Sequence, residues 1–274
     1  MCGIAGIVGE NPSEEELDKM LFTQRHRGPD FTGKFCAKFI ALGHNRLSIL
    51  DLSAAANQPF FSDDKRYVLV LNGEIYNYLE LKNELKNYPF KTASDTEVLL
   101  AAYIKWGEDC LHKLNGMFSF AIWDTHTNCI FAARDRFGVK PFYYFKKKDK
   151  LYFASEIKTL LAGGIPKKTN DKVWANYFVY GSYGMPDETF FEGIHQLPGG
   201  HFLKLHKNQL SIKKWYFFED EIKKYQKKIS FNQAKKEYNE LLESSIKLRF
   251  RADVPIGFNI IGGVDSGCLR IKET

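Results

Sequence analysis

Short apolar runs separated by turn-forming residues dominate the first two thirds of the chain, and most are apolar at consecutive rather than alternate positions. The clearest cover residues 4–8, 40–42, 68–71, 118–123, 130–133, 142–145 and 151–154. A strand that is apolar on both faces must be covered on both sides. The runs therefore predict two packed sheets with helices outside them. Two helix starts interrupt the strands. Ser13-Glu14-Glu15-Glu16 places a capping serine ahead of Leu17, Met20 and Leu21 at helical spacing, and Ser94-Asp95-Thr96-Glu97 does the same for a helix over 98–106 that Gly107 stops.

The character of the chain changes twice. From Asp171 to Asp220 it is rich in aromatics, glycine and proline, which predicts the end of a first domain and a β-rich connector. Beyond Gln226, Ser230-Phe231-Asn232-Gln233 opens a helix carrying Tyr238, Leu241, Leu242 and Ile246, and an apolar run over 256–261 leads into a glycine turn. That order is how an α/β unit begins. The expected organisation is a domain over 1–220 and, over 221–274, a linker with the first helix, strand and loop of an incomplete second domain.

Composition narrows the class. Hydrophobic residues at 44% and charged residues at 26% fit a globular protein. No apolar run approaches the ~18 residues of a membrane span, and no secretory leader is recognisable, so no membrane partner is expected. The five cysteines (Cys2, Cys36, Cys110, Cys129 and Cys268) are widely spaced without a CxxC pair. Neither a metal site nor a disulfide framework is expected, and the compartment reads as reducing and cytoplasmic. The net charge of +6 sits largely in lysine runs at 146–148 and 223–228. No aromatic-interleaved basic module accompanies them, so they read as solvated tips and no nucleic acid is expected.

Candidate chemistry begins at Cys2. Loss of Met1 would place a thiol and a free α-amine on one residue, and an amine with a pKa near ~8 can serve as the thiol's base. The alternative is a cysteine buried as a small hydrophobe in an opening strand. Arg46, in His44-Asn45-Arg46-Leu47-Ser48-Ile49-Leu50-Asp51, either forks onto a structural carboxylate or binds the carboxylate of a small substrate. Asn72-Gly73 after an apolar strand is most simply a hairpin turn, yet it also offers an amide side chain and an unobstructed backbone N–H for an oxyanion. Asp95 in a first helical turn is favoured there by the dipole, and could equally hold an ammonium. Arg25-His26-Arg27-Gly28-Pro29-Asp30 is a rigid cationic turn, either anchoring the fold or keeping the surroundings of a thiolate positive.

Taken together, Met1-Cys2-Gly3-Ile4-Ala5-Gly6, Arg25-His26-Arg27-Gly28-Pro29-Asp30, Arg46-Leu47-Ser48-Ile49, Asn72-Gly73-Glu74-Ile75-Tyr76-Asn77, Ser94-Asp95-Thr96-Glu97 and Arg134-Asp135-Arg136-Phe137-Gly138-Val139-Lys140-Pro141 closely resemble class II glutamine amidotransferases. Within that group the chain is similar to glutamine-hydrolysing asparagine synthetases. The Arg-Leu-Ser-Ile segment sets it apart from relatives that make glucosamine phosphate or phosphoribosylamine.

The resemblance implies an α+β, four-layer αββα sandwich of the N-terminal-nucleophile hydrolase type, followed by the start of an α/β synthetase domain. It implies that Cys2 attacks the side-chain amide of glutamine while Asn72 and Gly73 stabilise the oxyanion. Arg46 would take the substrate α-carboxylate, Glu74 and Asp95 its α-ammonium, and Leu47, Ile49 and Leu50 would line the same site. The glutaminase half needs no cofactor. The family's second half uses ATP and Mg to activate aspartate and passes ammonia to it. Its pyrophosphate loop corresponds to Gly262, Gly263, Asp265 and Ser266, with Ile261 where the family has serine. The expectation is that this chain alone does not make asparagine and that a separate synthetase domain or subunit receives the ammonia. A homodimer is compatible with the family. The alternatives are an amidotransferase with another acceptor, or a non-catalytic remnant that binds a partner.

Overall fold

Consecutive apolar residues become strands buried on both faces: in β1 (Gly3–Val8) every position is buried. The structure is a computed structural model that describes residues 1–182, 186–226 and 228–257. In chain order the further strands are β2 (Phe31–Ala37), β3 (Ile40–Arg46), β4 (Phe60–Phe61), β5 (Tyr67–Ile75), β6 (Gly116–Asp124), β7 (Cys129–Arg134), β8 (Tyr143–Lys147), β9 (Lys150–Ala154), β10 (Ile194–Gln196), β11 (His201–His206) and β12 (Gln209–Lys214). The helices are α1 (Glu14–Thr23), α2 (Tyr78–Glu84), α3 (Asp95–Trp106), α4 (Cys110–Lys113), α5 (Ile157–Ala162), α6 (Asp171–Tyr180), α7 (Phe218–Tyr225) and α8 (Phe231–Arg249).

The strands form two six-stranded sheets, ordered β10-β8-β9-β1-β3-β2 and β12-β11-β7-β6-β5-β4, with antiparallel neighbours throughout. Alternation along each strand sends side chains to different cores. Ile4 and Val8 of β1, Ile40 and Leu42 of β3, and Val68 and Val70 of β5 meet between the sheets. Ala5, Ile7 and Ala41 turn the other way, onto Leu17, Met20 and Leu21 of α1 and Leu160 of α5. Leu69, Leu71 and Ile75 of β5 pack against Leu81 of α2, Val98 and Leu99 of α3 and Leu111 of α4.

The expected helix starts are present. Ser13 Oγ accepts from the Glu16 N–H at 3.1 Å, and Ser94 Oγ from the Thr96 N–H at 3.1 Å. Gly107, at φ 58°, closes α3 in a conformation that a side chain would strain.

Two expectations need correction, and one strand went unanticipated. Asn72-Gly73 is not a hairpin turn but lies inside β5, in register with Ser119 and Phe118 of β6. The glycine is required by approach rather than by turning, because a Cβ there would stand 2.3 Å from the Met117 carbonyl oxygen. The stretch from Asp171 is not wholly β-rich. Asn170 caps α6 through its side chain and Gly181, left-handed at φ 68°, ends it, and these caps override the β preference of the aromatic residues between them. Finally, β2 gave no signal because it is an edge strand paired only with β3 and is exposed at most positions.

The chain divides into two compact units, one of Met1–Ser48 with Ser53–Tyr216, the other of Ile49–Leu52 with the chain from Phe217 onward. In the second, Ser230 caps α8 by accepting from the Gln233 N–H at 3.2 Å. Asp253 donates its N–H to the Ile49 carbonyl at 2.9 Å, and its carboxylate accepts the Asp51 N–H at 2.7 Å. Most of the apolar run expected over 256–261 lies outside the described residues, as do Gly262, Gly263, Asp265 and Ser266 of the nucleotide loop.

Candidate active site

At one end of the sandwich the inward-facing stripes change from apolar to polar. On β3 the stripe runs Ile40, Leu42, His44, Arg46; on β5 it runs Val68, Val70, Asn72, Glu74; on β9 it runs Leu151, Phe153 and then Ser155 just beyond the strand. The same parity on β1 carries Val8, Gly6 and Ile4 to Cys2. Pairing of Gly3 with Asn45 in the antiparallel β1–β3 ladder sets Cys2 beside the end of β3. A cluster of polar groups thus faces inward at this end of the core.

Cys2 meets backbone there. Its Sγ lies 3.5 Å from the Leu47 N–H donor and 3.6 Å from the Leu47 carbonyl oxygen. Arg27 donates through Nε to the Cys2 carbonyl at 2.9 Å and through Nη1 to Glu156 at 3.0 Å. Burial pushes the thiol above its ordinary value, while the Leu47 N–H, the terminal ammonium and Lys140 pull it back and the negative charge of Asp95 adds to the rise. Burial would also raise Glu156, but hydrogen bonds from Arg27, Lys158 and His26 outweigh it and hold that carboxyl below the usual range. The amine at the chain start lies in the same field: burial lowers it, Lys140 and Arg27 lower it further, and Cys2 and Glu74 oppose them.

Asn72 is completely buried. Its Nδ2 reaches Ser155 Oγ at 3.5 Å, its Oδ1 has no hydrogen-bond partner, and Ser155 Oγ accepts the Ile4 N–H at 3.0 Å. The amide is therefore linked through the Ser155 hydroxyl to Ile4, the residue two beyond Cys2. Ser155 gave no signal in the sequence, because its importance rests on a contact between distant strands. His44 is another such residue. Its Nε2 lies 3.0 Å from the Leu71 carbonyl, which marks Nε2 as the protonated nitrogen. Burial, opposed by that carbonyl and reinforced by Arg46, lowers its pKa to about 3, so the ring is a neutral spacer and not a base.

Arg46 ends β3 and is buried, donating through Nη1 to the Ser53 carbonyl at 2.8 Å and to Asn57 Oδ1 at 2.7 Å. Two acids lie within reach of one another's charge, Asp95 buried and Glu74 half-buried. Asp95, the first residue of α3, accepts the Ile75 N–H at 2.9 Å. Burial raises it to about 6, with the Glu74 charge adding to the rise and hydrogen bonds from Ile75, Thr96 and Ser94 opposing it. Glu74 is raised by burial, against the pull of Lys140 and the terminal ammonium. A bound cation would relieve both acids.

The structure thus brings Cys2, Arg46, Leu47, Asn72, Gly73, Glu74 and Asp95 into one unit, Cys2 just before β1, Leu47 just after β3 and the others on β3, β5 and α3. Ile49 and Leu50 belong to the second unit, where Ile49 pairs with Asp253.

A family model described as a glutamine amidotransferase domain matches residues 1–216. A putative glutamine-hydrolysing asparagine synthetase of Methanocaldococcus jannaschii is 39% identical over 97% of this chain and 55% of its own length. Asparagine synthetase 3 of Bacillus subtilis is 36% identical over 98% of this chain and 44% of its own length. Amidase chyE of Penicillium rubens is 34% identical over 97% of this chain and 41% of its own length. The chain spans about half the length of the curated relatives it matches. In fold it is similar to the glutamine phosphoribosylpyrophosphate amidotransferase of B. subtilis, with a TM-score of 0.61 at 21% identity over 79% of this chain and 50% of that one. Among the described residues no helix is long and apolar enough to cross a membrane. By its matched residues and by the curated relatives it resembles, this chain belongs to the glutamine amidotransferase domain family of glutamine-hydrolysing enzymes.

Proposed function

We propose that this chain is the glutaminase part of an ATP-dependent asparagine synthetase, with Cys2 as its N-terminal nucleophile in an αββα sandwich of the N-terminal-nucleophile hydrolase type. The observation that carries the reading is the convergence of Cys2, Arg46, Asn72 and Glu74 where the inward stripes of β1, β3 and β5 turn polar. One buried cation, one buried acid and one half-buried acid suit a zwitterionic amino acid. Arg46 would fork onto the α-carboxylate, and Glu74 with Asp95 would hold the α-ammonium, whose charge relieves the strain that burial puts on both carboxylates. Leu47 would contribute backbone to the lining.

Removal of Met1 would leave the α-amine on Cys2. The amine takes the thiol proton, and sulfur attacks the side-chain amide carbon of glutamine. The carbonyl π-pair moves onto oxygen, where the Asn72 amide and the Gly73 N–H donate to it, each worth roughly 10²–10³ in rate. Collapse breaks the C–N bond and expels ammonia, which takes the proton back from the amine. Water then adds to the thioester, and C–S cleavage releases glutamate and restores the thiol. Rotation of the Asn72 amide about its last bond exchanges its unpartnered oxygen for the NH₂ donor that this step requires.

Glutamine hydrolysis by this route consumes neither ATP nor Mg²⁺. Those belong to the synthetase step, in which a further domain or subunit would receive the ammonia and aspartate would be the acceptor. Glutamate release from glutamine, measured beside Cys2→Ala with the N-terminus checked by intact mass, tests the reading. Release that depends on Cys2 is expected. Equal release by the variant, or Met1 retained in an active protein, would remove Cys2 from the role of terminal nucleophile.

A further inference from the structure

Ser155, the residue that follows β9, holds both backbone groups of Ile4. Its N–H donates to the Ile4 carbonyl at 3.0 Å, and its Oγ accepts the Ile4 N–H at 3.0 Å. The side chain is completely buried, and among the described residues the hydroxyl proton reaches no acceptor. The Asn72 amide comes to the same oxygen through Nδ2 at 3.5 Å, while its Oδ1 is buried without any partner. Ser155 Oγ thus receives two donors and gives its own proton to none, and the oxygen at the other end of the same amide receives no donor.

A buried donor without an acceptor and a buried acceptor without a donor each cost free energy. Half a turn of the amide about Cβ–Cγ joins the two to each other. Oδ1 then faces Ser155 and takes the hydroxyl proton, so one chain runs from the Ile4 N–H to Ser155 Oγ and from the Ser155 O–H to Asn72 Oδ1. The backbone sets the direction of this chain. The Ile4 N–H can only donate, so the hydroxyl that accepts it has its proton left for the amide. At 3.5 Å the pair stands at the long limit of a hydrogen bond, as catalytic hydrogen bonds often do before substrate arrives. What stays open is the Asn72 NH₂, a donor in want of an acceptor.

We propose that Ser155 is a positioning residue of the glutaminase site: its hydroxyl, fixed by the Ile4 N–H, holds the Asn72 amide with the oxygen turned to Ser155 and the NH₂ open to the oxyanion. The inference rests on the reading of this chain as a glutaminase. An oxygen that gains negative charge is stabilised by a donor and repelled by the amide oxygen, so only one of the two amide orientations serves the reaction. Ser155 acts through Asn72 and itself touches neither sulfur nor substrate. Ile4, on β1 and two residues beyond Cys2, thereby sets the orientation of a donor carried by β5 of the opposite sheet. A serine retained only to close the end of β1 would need its N–H and Oγ, and would leave the amide free to turn either way.

The test is a double-mutant cycle read as glutamate release, with folding checked by circular dichroism and N-termini by mass. Ser155→Ala should lower kcat about tenfold and leave KM for glutamine within about twofold, because the charged ends of the substrate are held elsewhere. In an Asn72→Ala background the same substitution should cost less than about twofold, since the group it orients is gone. An undiminished kcat in folded Ser155→Ala overturns the proposal. So does a tenfold loss that persists without the Asn72 amide, which a purely structural role would produce. Neutron diffraction from deuterium-exchanged crystals of the wild type reads the amide directly, because a nitrogen bearing two deuterons is distinct from an oxygen. Oδ1 facing Ser155 is expected, and Nδ2 facing it overturns the proposal whether or not the variants fold. A wild type that releases no glutamate would sink the glutaminase reading, and the neutron map would then decide the Ser155 assignment by itself.

Discussion

The Arg27 guanidinium ties the carbonyl of Cys2, at 2.9 Å, to the Glu156 carboxylate, at 3.0 Å, so the residue bearing the candidate nucleophile is held from a turn more than twenty positions along the chain. Glu156 is shared with His26 at 3.0 Å and Lys158 at 3.1 Å, which fixes the carboxylate from three sides. The cationic turn at 25–30 therefore anchors the start of β1.

Arg27→Ala should lower stability by about 2 kcal/mol through loss of one charged and one neutral acceptor interaction. It should reduce glutamate release by roughly 10–100-fold, because a small displacement of a nucleophile is costly. Arg27→Lys should keep the stability better than the rate, since an ammonium cannot reproduce the two-pronged geometry. Thermal melts and steady-state kinetics decide, and a variant with wild-type rate would show that Cys2 needs no such anchor.

Gly73→Ala puts a methyl 2.3 Å from the Met117 carbonyl oxygen and 2.6 Å from Phe118 Cα, both backbone atoms that cannot swing aside. The β5–β6 ladder must part, at a cost of about 2–3 kcal/mol. Urea denaturation should show the loss, and hydrogen exchange should place it at residues 72–75 and 116–119. Unchanged protection there would mean that the strands are less closely opposed than in this structure.

Asp95 controls a pH dependence whose sign follows from its burial. Its pKa of about 6 in the fold lies above the ordinary aspartate value near ~3.9. An acid raised in this way destabilises the fold only when it must ionise. The penalty is absent below about pH 4, grows as pH rises to about 6 and is constant beyond, approaching roughly 3 kcal/mol. Asp95→Asn retains an acceptor for the Ile75 N–H and removes the penalty. The stability of the variant minus that of the wild type should therefore rise by that order between pH 4 and 7, while KM for glutamine rises at least about tenfold. Denaturation curves across pH provide the check, and a flat difference would show that Asp95 ionises as an exposed aspartate does.

Much of this architecture is legible in local sequence. Runs such as 4–8 and 130–133 are apolar at every position, which only a strand covered on both faces tolerates, and Ser13, Ser94 and Ser230 each cap the helix that follows them. Where the reading failed, a nearby rule met a distant contact. Asn72-Gly73 carries the chemistry of a turn, but pairing with Ser119 and Phe118 keeps it extended. Aromatic residues 174–180 favour a strand, but caps at Asn170 and Gly181 make them a helix.

By itself the sequence determined the periodicities, the caps and the set of residues whose combined pattern marks the amidotransferase family, because those depend on neighbours within a few positions. Only the tertiary structure decided that His44 is neutral, that Ser155 joins Ile4 to Asn72 and that the Glu74 charge adds to the rise that burial imposes on Asp95. Protonation and hydrogen bonding depend on which groups from other strands exclude water and supply charge, and those groups are brought together only when the two sheets pack.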